Sequence, residues 1–183
     1  MNVAAWRIAV ETPAYSAHDL HGLGAKTTGG RWNSKGVPVV YCARTIALAT
    51  LETVHYFGRE SLPFNRYLVR IEIPDTVWDA RQVLDPVPAG WDAIPAGLTS
   101  IAAGDAWIAS RQSAVLLVPS VIVPDEYNVL INPAHAGSAA IAATTLRRWL
   151  YDPRFFSRAP SGDATAPVAE KYPTVVPTTI NCN

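Results

Sequence analysis

The run Gly29-Gly30-Arg31-Trp32-Asn33-Ser34-Lys35-Gly36-Val37-Pro38-Val39-Val40-Tyr41-Cys42, continued by Ile46-Ala47-Leu48-Ala49-Thr50-Leu51-Glu52-Thr53-Val54-His55-Tyr56, carries the most information in this chain. Ser34-Lys35-Gly36 reads as a glycine-bearing loop between two short strands, which predicts a hairpin of Arg31–Asn33 against Val37–Cys42. Pro38 suits an edge or a bulge in such a strand. Thr45 is the expected N-cap of a helix over 46–56. If Asn33 faces Val37, then Arg31 faces Val39, and Tyr41 lies diagonal to Arg31 on one face at about 7–8 Å. Glu52 stands four residues after Leu48 and three before His55, so the three share one side of the helix. In so apolar a helix a glutamate is either partnered or turned to a cleft, because an unpaired buried carboxylate is costly. An arginine forks onto anions, a tyrosine ring stacks on an aromatic base, and a fixed carboxylate stabilises a developing cation. Taken singly, the hairpin fits an exposed arginine beside a core tyrosine better than a ligand site, and Glu52 fits a solvated helix edge equally well.

Working outward, Trp6–Val10 is expected to be a strand. Gly22, Gly24, Gly29 and Gly30 form a flexible approach to the first motif. Arg66–Ile73 alternates, with Tyr67, Val69, Ile71 and Ile73 on one parity, as in a half-buried strand. Pro86–Ile94 reads as loop. Ser113–Pro119 and Ser120–Pro124 form a second core block, Tyr127–Asn132 a further strand, and Thr144–Tyr151 a terminal helix with Leu146, Trp149 and Leu150 on its apolar side. Ser113, entering a buried strand, is placed to bond a ligand or to cap the strand. Beyond Phe156, prolines 160, 167, 173 and 177 interrupt a Ser/Thr/Ala-rich stretch without periodicity. The expected division is therefore a domain over 1–156 and a mobile tail over 157–183.

The 183 residues are 49% hydrophobic and 16% charged, with 15 basic and 15 acidic side chains, so the balance gives no electrostatic reason for nonspecific nucleic-acid binding. Two cysteines, Cys42 and Cys182, make no disulfide framework. With no signal-peptide pattern and no apolar run near the ~18 residues of a membrane span, a cytoplasmic protein is expected. His18, His21, His55 and His135 lack metal-ligand spacing, and no metal is expected. Walker A, dinucleotide-fold glycine and nucleophile-elbow motifs do not occur. Arg147-Arg148 reads as a solvated pair.

Two blocks together resemble the RES domain, the toxin half of RES–Xre toxin–antitoxin systems. The first is Gly30-Arg31-Trp32-Asn33, Gly36, Val40-Tyr41, Ala43, Ala47-Leu48-Ala49 and Glu52. The second is Ser113, Leu116-Leu117-Val118-Pro119-Ser120, Asn128, Leu130-Ile131-Asn132-Pro133 and His135. The resemblance spans roughly Trp6–Phe156. It implies an α+β fold with an ADP-ribosyltransferase-like core of packed, mostly antiparallel sheets flanked by helices. It implies NAD as substrate, with no further cofactor, and cleavage of the nicotinamide–ribose bond by hydrolysis or phosphorolysis. Alternatives are transfer of ADP-ribose to a specific host protein, or a non-catalytic nucleotide-binding module. The family's functional residues fall on Glu52, Arg31 and Tyr41 as catalytic residues. Arg31, Tyr41 and Ser113, with Trp32 and Asn132, fall at NAD-binding positions. Glu52 would steady the ribose cation, Arg31 clamp the pyrophosphate or a ribose oxygen, Tyr41 stack on the nicotinamide, and Ser113 position the nicotinamide ribose or carboxamide. The implied partner is an Xre-type helix-turn-helix antitoxin that covers the active site. A homodimer within that complex and a host target protein are compatible with it. Thr50 stands where arginine-modifying ADP-ribosyltransferases carry the first acid of a Glu-x-Glu pair, and the tail has no counterpart in the family.

Overall fold

The structure, a computed structural model, describes residues 2–54 and 64–155. The chain divides into two units, Met1–Asp152 and Pro153–Asn183. Of the second, the described part is one 3-10 turn, Pro153–Phe155. The expected tail over 157–183, and the helical positions His55 and Tyr56, lie outside the described residues.

The first unit is built on a seven-stranded sheet. Its strands are β1 Asn2–Val10, β2 Val40–Ala43, β3 Arg66–Pro74, β4 Gln82–Val83, β5 Val115–Pro119, β6 Tyr127–Ile131 and β7 Ala142–Arg148. They lie in the order β4-β5-β6-β2-β1-β3-β7, antiparallel except for β4 against β5. Among the described residues, four α-helices accompany them, α1 Leu23–Thr28, α2 Ile46–Val54, α3 Asp75–Asp79 and α4 Leu98–Ser110, with one 3-10 helix over Ala136–Ala140. The α+β class and mostly antiparallel pairing are those expected, in a single sheet.

Strand β5 is buried at every position because both faces of the sheet are covered there. Val115 and Leu117 of β5 join one core with Val40, Cys42, Val129 and Ile131. Leu116 and Val118 point the other way and meet Trp32, Val39, Trp107, Ile108 and Leu130. The long β3 keeps the predicted parity, with Val69, Ile71 and Ile73 fully buried, and pairs with β1 over nine residues from Asn2↔Pro74 to Val10↔Arg66. Between β1 and β2 the ladder shrinks to one pair, Trp6↔Ala43, whereas β2 pairs with β6 over four. The sheet is thus weakly zipped at that seam, and α2 packs against both of its strands.

Three expectations are corrected. The Arg31–Asn33 hairpin does not form. Gly30 N–H bonds to the Asn33 carbonyl at 3.0 Å, Val37 N–H to the Ser34 carbonyl at 3.1 Å, and the Asn33 amide donates to the Ala25 and Val37 carbonyls at 3.0 and 2.9 Å. The segment therefore folds onto the end of α1 instead of forming a ladder, and only Gly30↔Asn33 remains as an isolated bridge. Thr144–Tyr151 is not a helix: β7 pairs with β3, and the register shift between Leu68 and Val69 leaves Leu146 as the extra residue between Thr145 and Arg147. The 146, 149, 150 spacing imitates a helical stripe, but Leu146 and Leu150 are exposed. Ser120–Pro124, expected in the second core block, is a bend and turn in which only Ser120 is fully buried. The helix α4 was not anticipated at all. Its buried positions are Ser100, Gly104, Trp107 and Ile108, a proper helical stripe in which two of four members are not apolar. Gly104 is required by packing, since a Cβ there would lie 2.0 Å from the Trp32 carbonyl oxygen.

Candidate active site

At the β1–β2 seam a cavity of about 150 Å³ opens. Trp6, Arg7 and Ile8 of β1 line it, with Tyr41, Cys42 and Ala43 of β2, Ala49, Glu52 and Thr53 of α2, and Asn128 of β6. Thr45 caps α2 as expected, its Oγ1 accepting the Leu48 N–H at 3.0 Å, and this fixes the face on which Glu52 emerges.

Glu52 is half-buried and held from two elements. Asn128 Nδ2 donates to its Oε1 at 2.6 Å, and Ser120 Oγ donates to the same oxygen at 2.7 Å. Ser120 has little freedom to do otherwise. Its hydroxyl oxygen already accepts the N–H groups of Ile122 at 3.1 Å and Val123 at 3.0 Å, so its one proton goes to the carboxylate. Both donors converge on Oε1, and Oε2 accepts from no described residue.

Tyr41 shares this cavity, as predicted. Its hydroxyl accepts the Trp32 N–H at 2.9 Å and donates to Asn33 Oδ1 at 2.8 Å, which fixes the ring that forms one wall. A Cβ at position 30 would come within 2.7 Å of that hydroxyl, so the glycine there permits the contact.

The other predicted residues lie elsewhere. Arg31 does not line the cavity: its Nη1 donates to the carbonyls of Trp91 at 2.7 Å and Ala93 at 2.9 Å, tying down the 91–93 loop. With the hairpin gone, the diagonal that would have set Arg31 beside Tyr41 is gone too. Trp32 is buried in the second core and stacks on Trp91 at 6.0 Å, so its ring is packing rather than a ligand wall. Asn132 is fully buried, its amide donating to the Ile108 carbonyl at 2.9 Å and its Oδ1 accepting Ala134 N–H at 3.0 Å. Ser113 accepts the Trp107 indole N–H at 2.9 Å and has the Val115 carbonyl as acceptor at 2.9 Å. The polar atoms of Asn132 and Ser113 serve the fold, and neither residue lines the cavity.

Three residues of the site went unassigned in the sequence: Arg7, Ser120 and Asn128. Ser120 and Asn128 belong to the second block of the resemblance, but only the turn after β5 reveals that they meet at Glu52. Arg7 is a lone cation between Trp6 and Ile8 in a strand. Cys42, also in the cavity wall, is no nucleophile: burial pushes its thiol up to about 12, against a smaller opposing pull from the Arg7 guanidinium. Among the described residues no three His, Cys, Asp or Glu side chains gather as a metal site, and no helix is long and apolar enough to cross a membrane.

The model of the RES domain matches residues 4–152. The chain belongs to the RES domain family. A relative from Sphingobium sp. (strain YBL2), named Prs ADP-ribosylating toxin, is 53% identical over 161 residues, covering 87% of this chain and all of that protein. Toxin Res of Yersinia enterocolitica is 38% identical over 141 residues, or 76% of this chain and 92% of its own. Among solved structures, a chain of the M. tuberculosis MbcT–MbcA toxin–antitoxin complex superposes with a TM-score of 0.57 at 15% identity, covering 85% of this chain and 87% of that one, a likeness of fold. In RES terms, the first sequence block supplies Tyr41 and Glu52 to the cavity, and the second supplies the two donors that hold Glu52.

Proposed function

We propose that this RES-domain toxin breaks the nicotinamide–ribose bond of NAD in the Tyr41–Glu52 cleft. The observation that carries the reading is the carboxylate of Glu52, immobilised by two donors on one oxygen at the wall of a small cavity. As the C–N bond breaks, its electron pair leaves with neutral nicotinamide, and positive charge develops on the ribose, as in glycoside cleavage. A carboxylate already oriented by Ser120 and Asn128 stabilises that charge without reorganising. The Tyr41 ring, fixed through its hydroxyl, flanks the departing nicotinamide and holds it in line. Water then adds to the ribose, giving ADP-ribose and a proton; inorganic phosphate in its place gives the phosphorylated sugar. The cavity of about 150 Å³ is smaller than the roughly 300–1,000 Å³ of whole-ligand pockets. It therefore takes the nicotinamide ribose, and the rest of the dinucleotide crosses the mouth. Arg31, whose Nη1 is held by the Trp91 and Ala93 carbonyls outside the cavity lining, is given no part in this step.

Incubation of the purified protein with NAD, with and without phosphate, followed by chromatography, tests this reading. Nicotinamide should appear with ADP-ribose or its phosphorylated form; NAD that survives intact refutes it. A second reading, transfer of ADP-ribose to a host protein, is favoured by the name of the 53%-identical relative. In that case label from biotinylated NAD stays on a polypeptide. Against arginine as the acceptor, Thr50 replaces the first acid of a Glu-x-Glu pair, and its hydroxyl donates within α2 to the Ile46 carbonyl at 2.8 Å. An antitoxin partner accompanies the toxin. We take it to be an Xre-type helix-turn-helix protein seated over the cleft, so that its addition stops NAD cleavage.

A further inference from the structure

The segment 32–34, which anchors Tyr41, is itself gripped from α4. Asp105 takes Ser34 with both carboxylate oxygens: Oδ1 accepts the Ser34 N–H at 2.9 Å, and Oδ2 accepts its hydroxyl at 2.5 Å. One residue earlier on the helix, Gly104 sets its backbone against the Trp32 carbonyl, where no side chain would fit. Trp107 and Ile108 share the second core with the Trp32 ring. Between these holds stands Asn33, 1% exposed, whose amide donates to the carbonyls of Ala25, Ser34 and Val37. Its Oδ1 accepts the Tyr41 hydroxyl proton, and the Trp32 N–H donates to the oxygen of that hydroxyl.

Asp105 is half-buried, and no ion pair among the described residues involves it. A carboxylate drawn out of water without a cation carries a desolvation cost. The two charge-assisted bonds to Ser34 offset that cost. They do so where the backbone has almost no ladder of its own, since Gly30↔Asn33 is an isolated bridge. The grip therefore decides where the 32–34 segment sits, and the Tyr41 hydroxyl follows that segment. Asp105 does not line the cavity, nor does any other residue of α4. Resting on the reading of the Tyr41 ring as the wall that flanks nicotinamide, we propose that Asp105 is a positioning residue for the cleavage. It locks Ser34, the locked segment holds Trp32 N–H and Asn33 Oδ1 on the Tyr41 hydroxyl, and the ring keeps the angle at which nicotinamide departs. The cleft then depends on a helix that contributes no atom to its lining.

Hydrogen exchange of the Trp32 amide, with kcat and KM for NAD, tests this in the full chain for Asp105→Ala, Asp105→Asn, Tyr41→Phe and the Asp105→Ala/Tyr41→Phe double variant. The Trp32 N–H is bonded to Tyr41 and not to Asp105, so it reports whether the grip is passed on. In Asp105→Ala its exchange should rise at least about tenfold, while the amides of β5 keep their wild-type rates. For the folded variant kcat should fall about tenfold and KM change by less than about threefold, as when only the alignment of the reacting group is loosened. Tyr41→Phe keeps the ring and frees it from the same anchor, so it should cost about as much, and adding Asp105→Ala to it should cost almost nothing more. Asp105→Asn retains an oxygen for the Ser34 N–H and should restore most of kcat. A double variant that loses about 100-fold, the product of the two single losses, overturns the proposal. So does a Trp32 amide that exchanges in Asp105→Ala as it does in the wild type. Should Asp105→Ala fail to fold, Ser34→Ala removes the hydroxyl bond alone and enters the same cycle with Tyr41→Phe. A wild type that leaves NAD uncut refutes the cleavage reading, and the Trp32 exchange still decides the positioning by itself.

Discussion

Two buried serines flank β5, Ser113 before it at 2% exposure and Ser120 after it at 0%. At the Ser113 end, the hydroxyl lies among the Trp107 indole, the Val115 carbonyl and, at 3.3 Å, the Gln82 side chain. At the Ser120 end, two backbone N–H groups use the oxygen as acceptor and direct the single proton onto Glu52. Residue type and burial are the same; what differs is where the last proton goes. At one end the hydrogen bonds close within the core, and at the other they end on a carboxylate at the wall of a cavity. A buried polar residue therefore reads as functional only when its network terminates on a group that can meet a ligand.

The comparison breaks most decisively at Glu52. Glu52→Gln keeps the size of the side chain and removes its charge, and kcat for NAD should fall at least ~10²-fold, as for loss of one preorganised electrostatic stabiliser. Turnover at the wild-type rate in a folded Glu52→Gln protein would end the assignment. Ser120→Ala comes next. It removes one of two donors from the carboxylate and leaves the Ile122 and Val123 N–H groups without their acceptor. A fall in kcat of about tenfold is expected, with a stability loss of about 1–3 kcal/mol read from urea unfolding. Ser113→Ala should cost a similar ~1–3 kcal/mol, because the Trp107 indole loses its acceptor, while kcat of the folded protein stays within about twofold. A Ser113→Ala protein of normal stability and collapsed turnover would show that Ser113 belongs to the site after all, and the contrast between the two ends of β5 would disappear.

What the sequence discloses follows from how local each signal is. The parity of β3 and the Thr45 cap are set by neighbours within four residues, and each is found where the pattern puts it. Tyr41 and Glu52 converge because β2 leads into α2 through only Arg44 and Thr45. Arg31 departs from expectation because a loop 60 residues away supplies its acceptors, and no spacing near Arg31 encodes that. The residues that hold Glu52 come from 68 and 76 positions downstream, and the seam itself exists because β1 and β2 share a single pair. Such facts are tertiary. The resemblance includes Ser120 and Asn128 without their roles, and it implies binding roles for Ser113 and Asn132, whose polar atoms bond within the core. The helix α4 stayed hidden because Ser100 and Gly104 occupy half of its buried stripe, where an apolar residue would have announced it.

The mildest change sharpens the same contrast from inside the cleft. Cys42 lines the cavity, and a thiol beside an arginine invites assignment as a nucleophile. Burial argues otherwise, because it holds the thiol protonated up to about 12, against an ordinary value of 9.0. Cys42→Ala should therefore leave kcat for NAD within about threefold, and the native protein should react with thiol reagents only as fast as it opens. The linkage has a definite sign. Between these two values the unfolded chain has released the thiol proton and the native protein has kept it, so the unfolded state binds fewer protons and stability falls as the pH rises. The contribution is fully present below pH 9.0 and is lost progressively toward about 12. In urea titrations across that window the wild type should lose stability more steeply than Cys42→Ala, and the two pH profiles should run parallel below it. Rapid, stoichiometric labelling of native Cys42 at neutral pH, coupled to loss of NAD cleavage, would instead put a reactive thiol in the site and return the cleft chemistry to covalent catalysis.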